Sequence, residues 1–452
     1  MSKECCKETK GKFNPFQFGQ KKNKARFLDF GDMVSPIKGV LQDTKEVRKF
    51  FEKFPYIPYS GADKITSHRL VCKLQEMGDL SSTKGAIMNS INCYSFGAKI
   101  GLYKGEDTEF DMGEESTPLE GEERQSYRDF LRRIELYGET YNGITEKISN
   151  LEQTTGEYFI ECILDEVEGE RFFGMSIVEP AKVCEKFTKA GEPRVFGISD
   201  RWDYTYCKKN PPRDIPAYPN VEKQKDGTLR TIIHVKNGCK RRGRPRDLAT
   251  FTDQHNEYHL KEYLSKAIGG NFMGQVLIEI EDSAKGNPFG QEAAEQSGYA
   301  DPLDLIEQNW TNRGEKPTSV IAFTRPKGAR PVTTKQFSPN TNEKFYCKVL
   351  AELRGGIIEG NNWSEALIRM SHSSGFNSEM YKDIFSILSA TTILKHQERT
   401  ATGPNLALNI ASEWLEEDQK GNQIKYISPI QTLLKQIVEA ETETQKAEEI
   451  EI

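Results

Sequence analysis

Apolar residues recur along this chain with two different periods, which divide it into helical and strand-rich stretches. Spacings of three or four residues predict helices near the start, in the middle and through the last quarter. The predicted helices cover residues 43–54, 67–78, 82–95, 122–151, 247–268, 301–312, 340–354, 363–370, 378–400 and 405–415. Glycine and proline predict interruptions. They fall at Gly138 and Gly143, at Gly355, Gly356, Gly360 and Asn361-Asn362, and at Gly403-Pro404.

Runs of β-branched and aromatic residues, separated by loops with Pro and Gly, predict strands. The predicted strands cover residues 100–103, 158–164, 174–178, 194–198, 231–235, 275–280, 319–323 and 423–427. Four of them follow one another between Tyr158 and Val235 and indicate a β-rich domain. The proline-containing stretch 211–219 between them predicts a rigid extended connector.

A basic segment, Lys240–Arg246, joins the strand at 231–235 to the long helix at 247–268. It matches the core of an AT-hook, in which an extended Gly-Arg-Pro lies in the DNA minor groove. Regular structure on both sides favours a turn instead, with Gly243 supplying an unusual backbone angle and Pro245 near the helix start. In that turn, four arginines would face a partner subunit or a phosphate. They are Arg241, Arg242, Arg244 and Arg246.

Composition narrows the class of protein. The chain has 452 residues, 36% hydrophobic residues and a net charge of -6. This length allows two to four domains, and the low hydrophobic content predicts large polar surfaces or long solvated helices. Nine cysteines without a CxxC pair suit a reducing cytosol and argue against a zinc ribbon. The sequence has no apolar run of membrane-spanning length and no secretory signal, so a soluble intracellular protein is expected.

Strong catalytic motifs are missing from the sequence: it has no Walker A, no Gly-x-Gly-x-x-Gly turn and no Gly-x-Ser-x-Gly. We therefore expect no enzyme activity and no cofactor, although a nuclease or protease with dispersed catalytic residues stays an alternative. His255 and His259 lie four apart on one helix face, but Asn256 stands where a metalloprotease needs its glutamate base. A solvated or inter-subunit helix face is expected there, without a metal.

The order of five segments resembles the portal proteins of tailed bacteriophages, over roughly residues 55–430. The segments are Leu80–Ser90 leading to Phe96–Leu102; Gly156–Glu161 followed by Glu179-Pro180; Ile232–Val235 followed by Gly243-Arg244-Pro245 and the long helix; Gln275–Ile278; and Glu343–Met370 with the loop and helix to residue 400. Arg242 stands where the family usually has an aromatic residue before the glycine.

This resemblance implies an α+β, multi-domain, portal-like subunit with long stem helices, a β-rich wing and a small α/β clip, assembling into a ring. The implied divisions are a flexible basic tail 1–27, wing 28–245, first stem helix 246–269, clip 270–335, second stem segment 336–370, tunnel loop 371–377, long kinked helix and wing return 378–428, and a crown-like C-terminal helix with an acidic tail 429–452.

The resemblance further implies a structural function in the virion. The subunit would form a ring, usually a dodecamer, at one capsid vertex after assembly in the host cytoplasm. Double-stranded DNA would be packaged and ejected through its channel, without sequence specificity. Partners would be the terminase large subunit, the major capsid protein and a head-tail adaptor, with no membrane. A net acidic channel wall would let DNA slide rather than grip it.

The loop at 371–377 is the implied contact with DNA in the channel. Its small and polar residues suit a flexible constriction, and His372 would add a weak pH-sensitive charge. The candidate contacts are Ser371, His372, Ser373, Ser374 and Asn377. A surface turn between packed helices fits the same residues equally well. From another class, a DNA-binding regulatory or recombination protein using the Arg-Gly-Arg-Pro hook at 242–245 remains the alternative function.

Overall fold

The computed structural model describes residues 43–59, 68–96, 99–104, 117–189, 191–238, 241–269, 276–281, 320–325, 343–368 and 378–428. Both helices and strands are present, in a mixed architecture. The helices are α1 Lys45–Lys53, α2 His68–Leu80, α3 Ser82–Phe96, α4 Gly121–Arg133, α5 Tyr141–Thr155, α6 Tyr204–Lys209, α7 Phe251–Gly269, α8 Glu343–Gly360, α9 Glu365–Ile368, α10 Ser378–Leu388 and α11 Leu394–Leu415. Short 3-10 turns cover Pro180–Lys182 and Leu248–Thr250, and a π-helical segment covers Ser389–Ile393.

The strands form four- and two-stranded sheets. They are β1 Tyr56–Ile57, β2 Lys99–Lys104, β3 Glu157–Val167, β4 Glu170–Val178, β5 Val183–Lys186, β6 Val195–Ile198, β7 Arg213–Pro216, β8 Glu222–Lys223, β9 Leu229–Lys236, β10 Val276–Glu281, β11 Val320–Arg325 and β12 Asn422–Ile427. Two antiparallel sheets have the orders β4-β3-β9-β8 and β1-β5-β6-β7. β2 pairs antiparallel with β12, and β10 pairs parallel with β11.

β3 is the central strand of the core, and both of its faces are covered. Side chains on one face, such as Tyr158 and Ile160, pack against α5 and α11. Phe159 points the other way and packs with Val183, Phe196 and Ile215 of the second sheet. Successive side chains of a strand alternate between faces, so a strand covered on both faces must be apolar along its length. This explains the nearly continuous apolar run after Glu157.

Two long helices lie antiparallel after the β-rich region. The end of α8 meets the start of α7, since a Cβ atom on Gly360 would lie 2.2 Å from the Thr250 side chain. At the other end, the rings of Tyr263 and Tyr346 are 6.2 Å apart. The helix predicted from 247 is confirmed but begins at Phe251. The predicted interruption is wrong at Gly355 and Gly356, because α8 runs through both, and it is confirmed at Gly360 and Asn361, where α8 ends.

The helix predicted to break at Gly403-Pro404 also continues, so that prediction is wrong. Tyr158 of β3 inserts its hydroxyl between two backbone groups that would otherwise bond each other. The hydroxyl donates to the Arg399 carbonyl at 2.6 Å and accepts from the Gly403 N–H at 3.0 Å. A side chain inserted into the helical ladder widens the turn and makes room for the Pro404 ring. The irregularity in this region falls earlier, in the π-helical segment.

Other expectations are corrected or lie outside the described residues. The break predicted at Gly138 and Gly143 falls between α4 and α5, and Gly143 is inside α5. Part of the predicted connector forms β7, which pairs with β6. The helix at 301–312, most of 270–335, the loop 371–377 and both termini lie outside the described residues. The domain divisions stay predictions.

Replacing Tyr158 with phenylalanine should destabilise the protein by about 1–3 kcal/mol, because the Arg399 carbonyl and the Gly403 N–H would lose their buried partner. Tyr218, 43% exposed, provides the matched control. Tyr218→Phe should change stability by less than about 0.5 kcal/mol. Urea unfolding of the two variants measures both effects. Equal stability of Tyr158→Phe and the unmutated protein would contradict the inserted hydroxyl.

Candidate functional site

Buried charged side chains cluster around the point where the chain passes from β9 into α7. We call this group the junction network. Its charged members are Lys84, Glu152, Glu157, Arg242, Asp247 and Glu257, all of them buried. A buried charge is costly unless it is paired and hydrogen-bonded. Each buried charge therefore requires an oppositely charged or hydrogen-bonding side chain at a defined position next to it.

Glu157, the first residue of β3, holds the turn that precedes α7. Its Oε1 accepts from Arg242 Nε at 2.7 Å, and its Oε2 accepts from the Gly243 N–H at 2.7 Å. His234 Nε2 lies 2.9 Å from Oε2. Arg242 also donates to the carbonyls of Val183 at 2.7 Å and Pro180 at 3.0 Å. The guanidinium is thus committed to partners inside the chain.

Backbone contacts and aromatic rings complete this turn. The Arg242 guanidinium lies 5.2 Å from the Tyr59 ring and 5.3 Å from the Phe159 ring, within cation-π range. Residue 243 must be glycine, because a Cβ atom there would lie 2.2 Å from the Gly156 carbonyl oxygen. The backbones at Gly156 and Gly243 are therefore in direct contact.

The ionisation of this pair follows from its surroundings. Burial would raise the pKa of Glu157, but Arg242 and His234 outweigh it and lower that pKa to about 2. Burial lowers the pKa of His234, so the ring is neutral at pH 7 and donates its Nε2–H to the carboxylate. The site holds one negative and one positive charge at neutral pH.

Lys84 and Asp247 form a second buried pair. Their Nζ and Oδ2 atoms are 2.7 Å apart, and both side chains are 4% exposed. Lys84 also donates to the Gln153 carbonyl and to Asn361 Oδ1, both at 3.0 Å. Asp247 accepts from Gln254 Nε2 at 2.6 Å. The pair thereby joins α3, α5, the start of α7 and the end of α8.

Glu257 connects the second turn of α7 to the start of α3. Its carboxylate accepts from the hydroxyls of Ser81 at 2.5 Å and Thr83 at 2.6 Å, and from Lys261 Nζ at 2.6 Å. Burial would raise the pKa of Glu257, and these donors lower it below its usual range. A negative charge at a helix N-terminus is also favoured by the helix dipole.

Glu152 and His396 tie α5 to α11. Glu152 Oε2 lies 2.9 Å from His396 Nδ1, and His396 Nε2 lies 2.7 Å from the Ser149 hydroxyl. Asn237 donates to Glu152 Oε1 at 2.7 Å. Burial would raise the pKa of Glu152, but His396, Arg246 and Asn237 outweigh it and lower that pKa to about 2.

The space inside the junction network is small. A cavity of about 20 Å³ is bounded by Lys84, Glu152, Asp247, Asn361 and His396. That volume is comparable to one water molecule and excludes an organic substrate. The carboxylates around it already accept several hydrogen bonds each. The arrangement is suited to holding helices in a fixed geometry, and it leaves no room for a reacting molecule.

The structure separates the four arginines that the sequence grouped together. Arg241 and Arg246 are exposed and Arg244 is half-buried, whereas Arg242 is 3% exposed. The expectation that Arg242 faces a phosphate or another subunit is therefore wrong, because Glu157 captures it inside the chain. For the other three arginines that role stays a prediction.

The AT-hook at 242–245 is contradicted by burial. Arg242, Gly243 and Pro245 are all buried, and a minor-groove hook requires this segment to be extended and accessible. The alternative function built on the hook loses its basis. The turn interpretation agrees with the structure, although two residues separate Pro245 from the 3-10 turn that begins at Leu248. The tunnel-loop candidates Ser371 to Asn377 lie outside the described residues.

Sequence reasoning missed the buried charges, although two of them carried a signal. Lys84 continues the apolar stripe of Ile87 and Ile91 at helical spacing, and Glu152 continues the stripe of Ile144 and Ile148. A charge on the apolar face of a helix indicates a buried pair. Its partner cannot be identified from the sequence, because Lys84 and Asp247 are far apart along the chain.

Comparisons with solved structures found similar chains in gene transfer agent particles. A chain in the virion of a native particle is 11% identical, with a TM-score of 0.46, over 83% of this chain and 88% of that chain. A chain in the neck of a native particle computed with C12 symmetry is 10% identical, with a TM-score of 0.45, over 82% and 88%. A chain in the neck of an empty particle computed with C6 symmetry is 12% identical, with a TM-score of 0.44, over 78% and 83%.

No protein-family model matches the chain, and no curated protein matches it in sequence. Among the described residues, no helix combines the length and apolar character needed to cross a membrane.

Removing Arg242 should be strongly destabilising, because the Glu157 carboxylate would stay buried without its main partner. We expect Arg242→Met to cost about 3–5 kcal/mol. The exposed neighbour gives the matched control, and Arg241→Met should cost less than about 0.5 kcal/mol. Adding Glu157→Gln to Arg242→Met removes the unpaired charge and should recover part of the loss. Denaturant unfolding measures all four proteins, and similar values for both arginine variants would refute the pairing.

Stability should fall as the pH is lowered below about 6.5. Burial lowers the pKa of His68 from 6.5 to about 3, so between these values the unfolded chain binds more protons than the folded chain. Glu152 and Glu157, with pKa values lowered from 4.5 to about 2, add a second loss below pH 4.5. Free energies of unfolding measured from pH 8 to pH 4 should decrease steadily below 6.5. A flat profile between pH 7 and pH 5 would contradict this account.

Proposed function

We propose that this chain is the structural subunit of a ring-shaped DNA conduit of the portal type, located at one capsid vertex of a virion. The observation that carries the proposal is the pair of long helices α7 and α8. Buried ion pairs hold the start of α7 and the end of α8, which we call the base, and the opposite parts of both helices, which we call the outer halves, are incompletely covered. From Tyr258 to Lys266 of α7 and from Phe345 to Gly356 of α8, no described residue is buried.

The outer halves of these helices carry apolar side chains that stay half-exposed in the single subunit. Those of α7 are Tyr258, Leu260, Tyr263 and Leu264, and those of α8 are Tyr346, Val349, Leu350 and Leu353. Phe345 is 51% exposed. Apolar surface left uncovered on long helices favours association, and copies of one chain usually associate with closed symmetry. A ring would bury these surfaces between neighbours.

The locked base supports a mechanical role. Lys84, Asp247, Glu257 and Asn361 connect both helices to the rest of the subunit at their common end. Helices that protrude from a fixed base keep their direction when their far ends are pushed. A channel through which DNA is forced needs walls built from helices that keep their direction. A net charge of -6 is also compatible with a channel that does not bind phosphate tightly.

The order of segments in the sequence supports the more detailed assignment. In this proposal α7 and α8 are the stem, β10 and β11 belong to the clip, and the loop 371–377 lines the channel. The ring, a dodecamer by resemblance, receives DNA from a terminase large subunit and contacts the major capsid protein and a head-tail adaptor. The subunit performs no catalysis and needs no cofactor.

Purified full-length protein should form closed rings. Native mass spectrometry should give a single multiple of the 51.4 kDa subunit, and negative-stain images should show a central hole. The half-exposed apolar residues of α7 and α8 are the physical reason for association. A stable monomer at micromolar concentration in moderate salt would contradict the proposal.

Substitution of Phe345 with aspartate should weaken the ring, since a charge would be placed on the surface that neighbours cover. The subunit itself should remain folded, because this side chain is exposed in α8. Phe187, which directly follows β5 and is 64% exposed, gives a matched control. Phe187→Asp should leave the ring intact. Sedimentation velocity measures the assembled fraction, and unchanged assembly of Phe345→Asp would remove α8 from the interface.

A further inference from the structure

We propose that His255 and His259 on α7 form a binding site for a divalent transition-metal ion such as Zn²⁺, Ni²⁺ or Cu²⁺, held through the two Nε2 atoms. This site is separate from the ring proposal and does not depend on it. The sequence alone favoured a solvated or inter-subunit helix face, because the motif of a metalloprotease is absent.

The distance between the two ring nitrogens fits a shared metal. His255 Nε2 and His259 Nε2 are 3.2 Å apart on one face of α7. With bonds of about 2.0–2.1 Å, two nitrogens of a tetrahedral metal site lie roughly 3.3 Å apart. The rings are inclined by 60° with centroids 4.3 Å apart, so both Nε2 atoms converge on one region. Imidazole nitrogen is a preferred ligand of Zn²⁺, Cu²⁺ and Ni²⁺.

The outer nitrogen of His259 has the partner that metal-binding histidines usually have. His259 Nδ1 lies 3.4 Å from Glu262 Oε2. A carboxylate beside Nδ1 favours the proton on that atom and leaves the Nε2 lone pair for a metal. Glu262 sits three residues along α7, so the helix itself sets this geometry.

His255 is also able to act as a ligand. Its side chain is buried, at 6% exposure, and faces His259 across one turn of α7. Among the described residues its Nδ1 has no hydrogen-bond partner, so only the contact between the two Nε2 atoms sets the tautomer of the ring. The lone pair of Nε2 is therefore available without breaking another contact except that with His259.

Surrounding charges and exposure set the kind of site. The His259 side chain is 53% exposed, which leaves the remaining coordination positions open to water. Lys73 of α2 is close enough to His255 to oppose a cation, although its ammonium group is paired with Glu76. No cluster of three or more potential ligands occurs in the described part of the chain. The geometry therefore points to a two-histidine clamp with exchangeable metal, bridging one turn of α7.

Modification of His259 by diethylpyrocarbonate, followed by mass spectrometry of the peptide, tests the site in the full-length protein. Added ZnCl₂ or NiCl₂ should protect His259 in a saturable way, and EDTA should reverse the protection. In His255→Gln the protection should be lost, whereas in Asn256→Ala, a change on the same turn but another face, it should remain. Absence of protection, or equal protection in His255→Gln, would overturn the proposal.

Cu²⁺ binding gives a second readout that does not depend on His255→Gln folding. Electron paramagnetic resonance of the Cu²⁺-loaded protein should show two equatorial imidazole nitrogens. His259→Gln changes an exposed side chain, leaves the fold intact, and should reduce the count to one or abolish binding. A spectrum unaffected by His259→Gln would place the copper elsewhere in the chain and contradict the clamp.

Discussion

The buried carboxylate of Glu157 is the constraint on which the rest of this structure depends. A carboxylate removed from water destabilises the fold strongly unless it lies beside an opposite charge and accepts enough hydrogen bonds. Arg242 and the Gly243 N–H meet that requirement together. By doing so they place the entry to α7 directly against the start of β3. This contact fixes where α7 begins relative to β3.

The other buried charges of the junction network also fix the positions of helices through their partners. Lys84 and Asp247 bring the ends of α7 and α8 together, and Glu257 fixes the next turn of α7 to α3. Buried ion pairs add little net stability compared with apolar packing, but breaking one is costly. Their effect is to define one arrangement of helices and to penalise others. Such a base suits a subunit whose helices must keep their orientation within an assembly.

Local sequence patterns were sufficient for the elements but insufficient for the contacts between them. The apolar run after Glu157 and the helical periodicity of α7 predicted both elements, although the helix was predicted to start four residues too early, at 247 instead of Phe251. The break expected at Gly403-Pro404 is absent because Tyr158 supplies hydrogen bonds from a distant strand. Arg242 was assigned to the surface for the same reason: its partner lies 85 residues away. The positions of Lys84 and Glu152 on apolar helix faces were the one sequence signal for the buried network, and the prediction did not use it.

A cryo-electron microscopy reconstruction of the purified full-length protein tests the central claim most directly. The account predicts a closed ring in which the outer halves of α7 and α8 contact neighbouring subunits, while Arg242 stays paired with Glu157 inside each subunit. A particle in which these helix halves remain in solvent, or in which Arg242 leaves Glu157 to contact a neighbour, would contradict it.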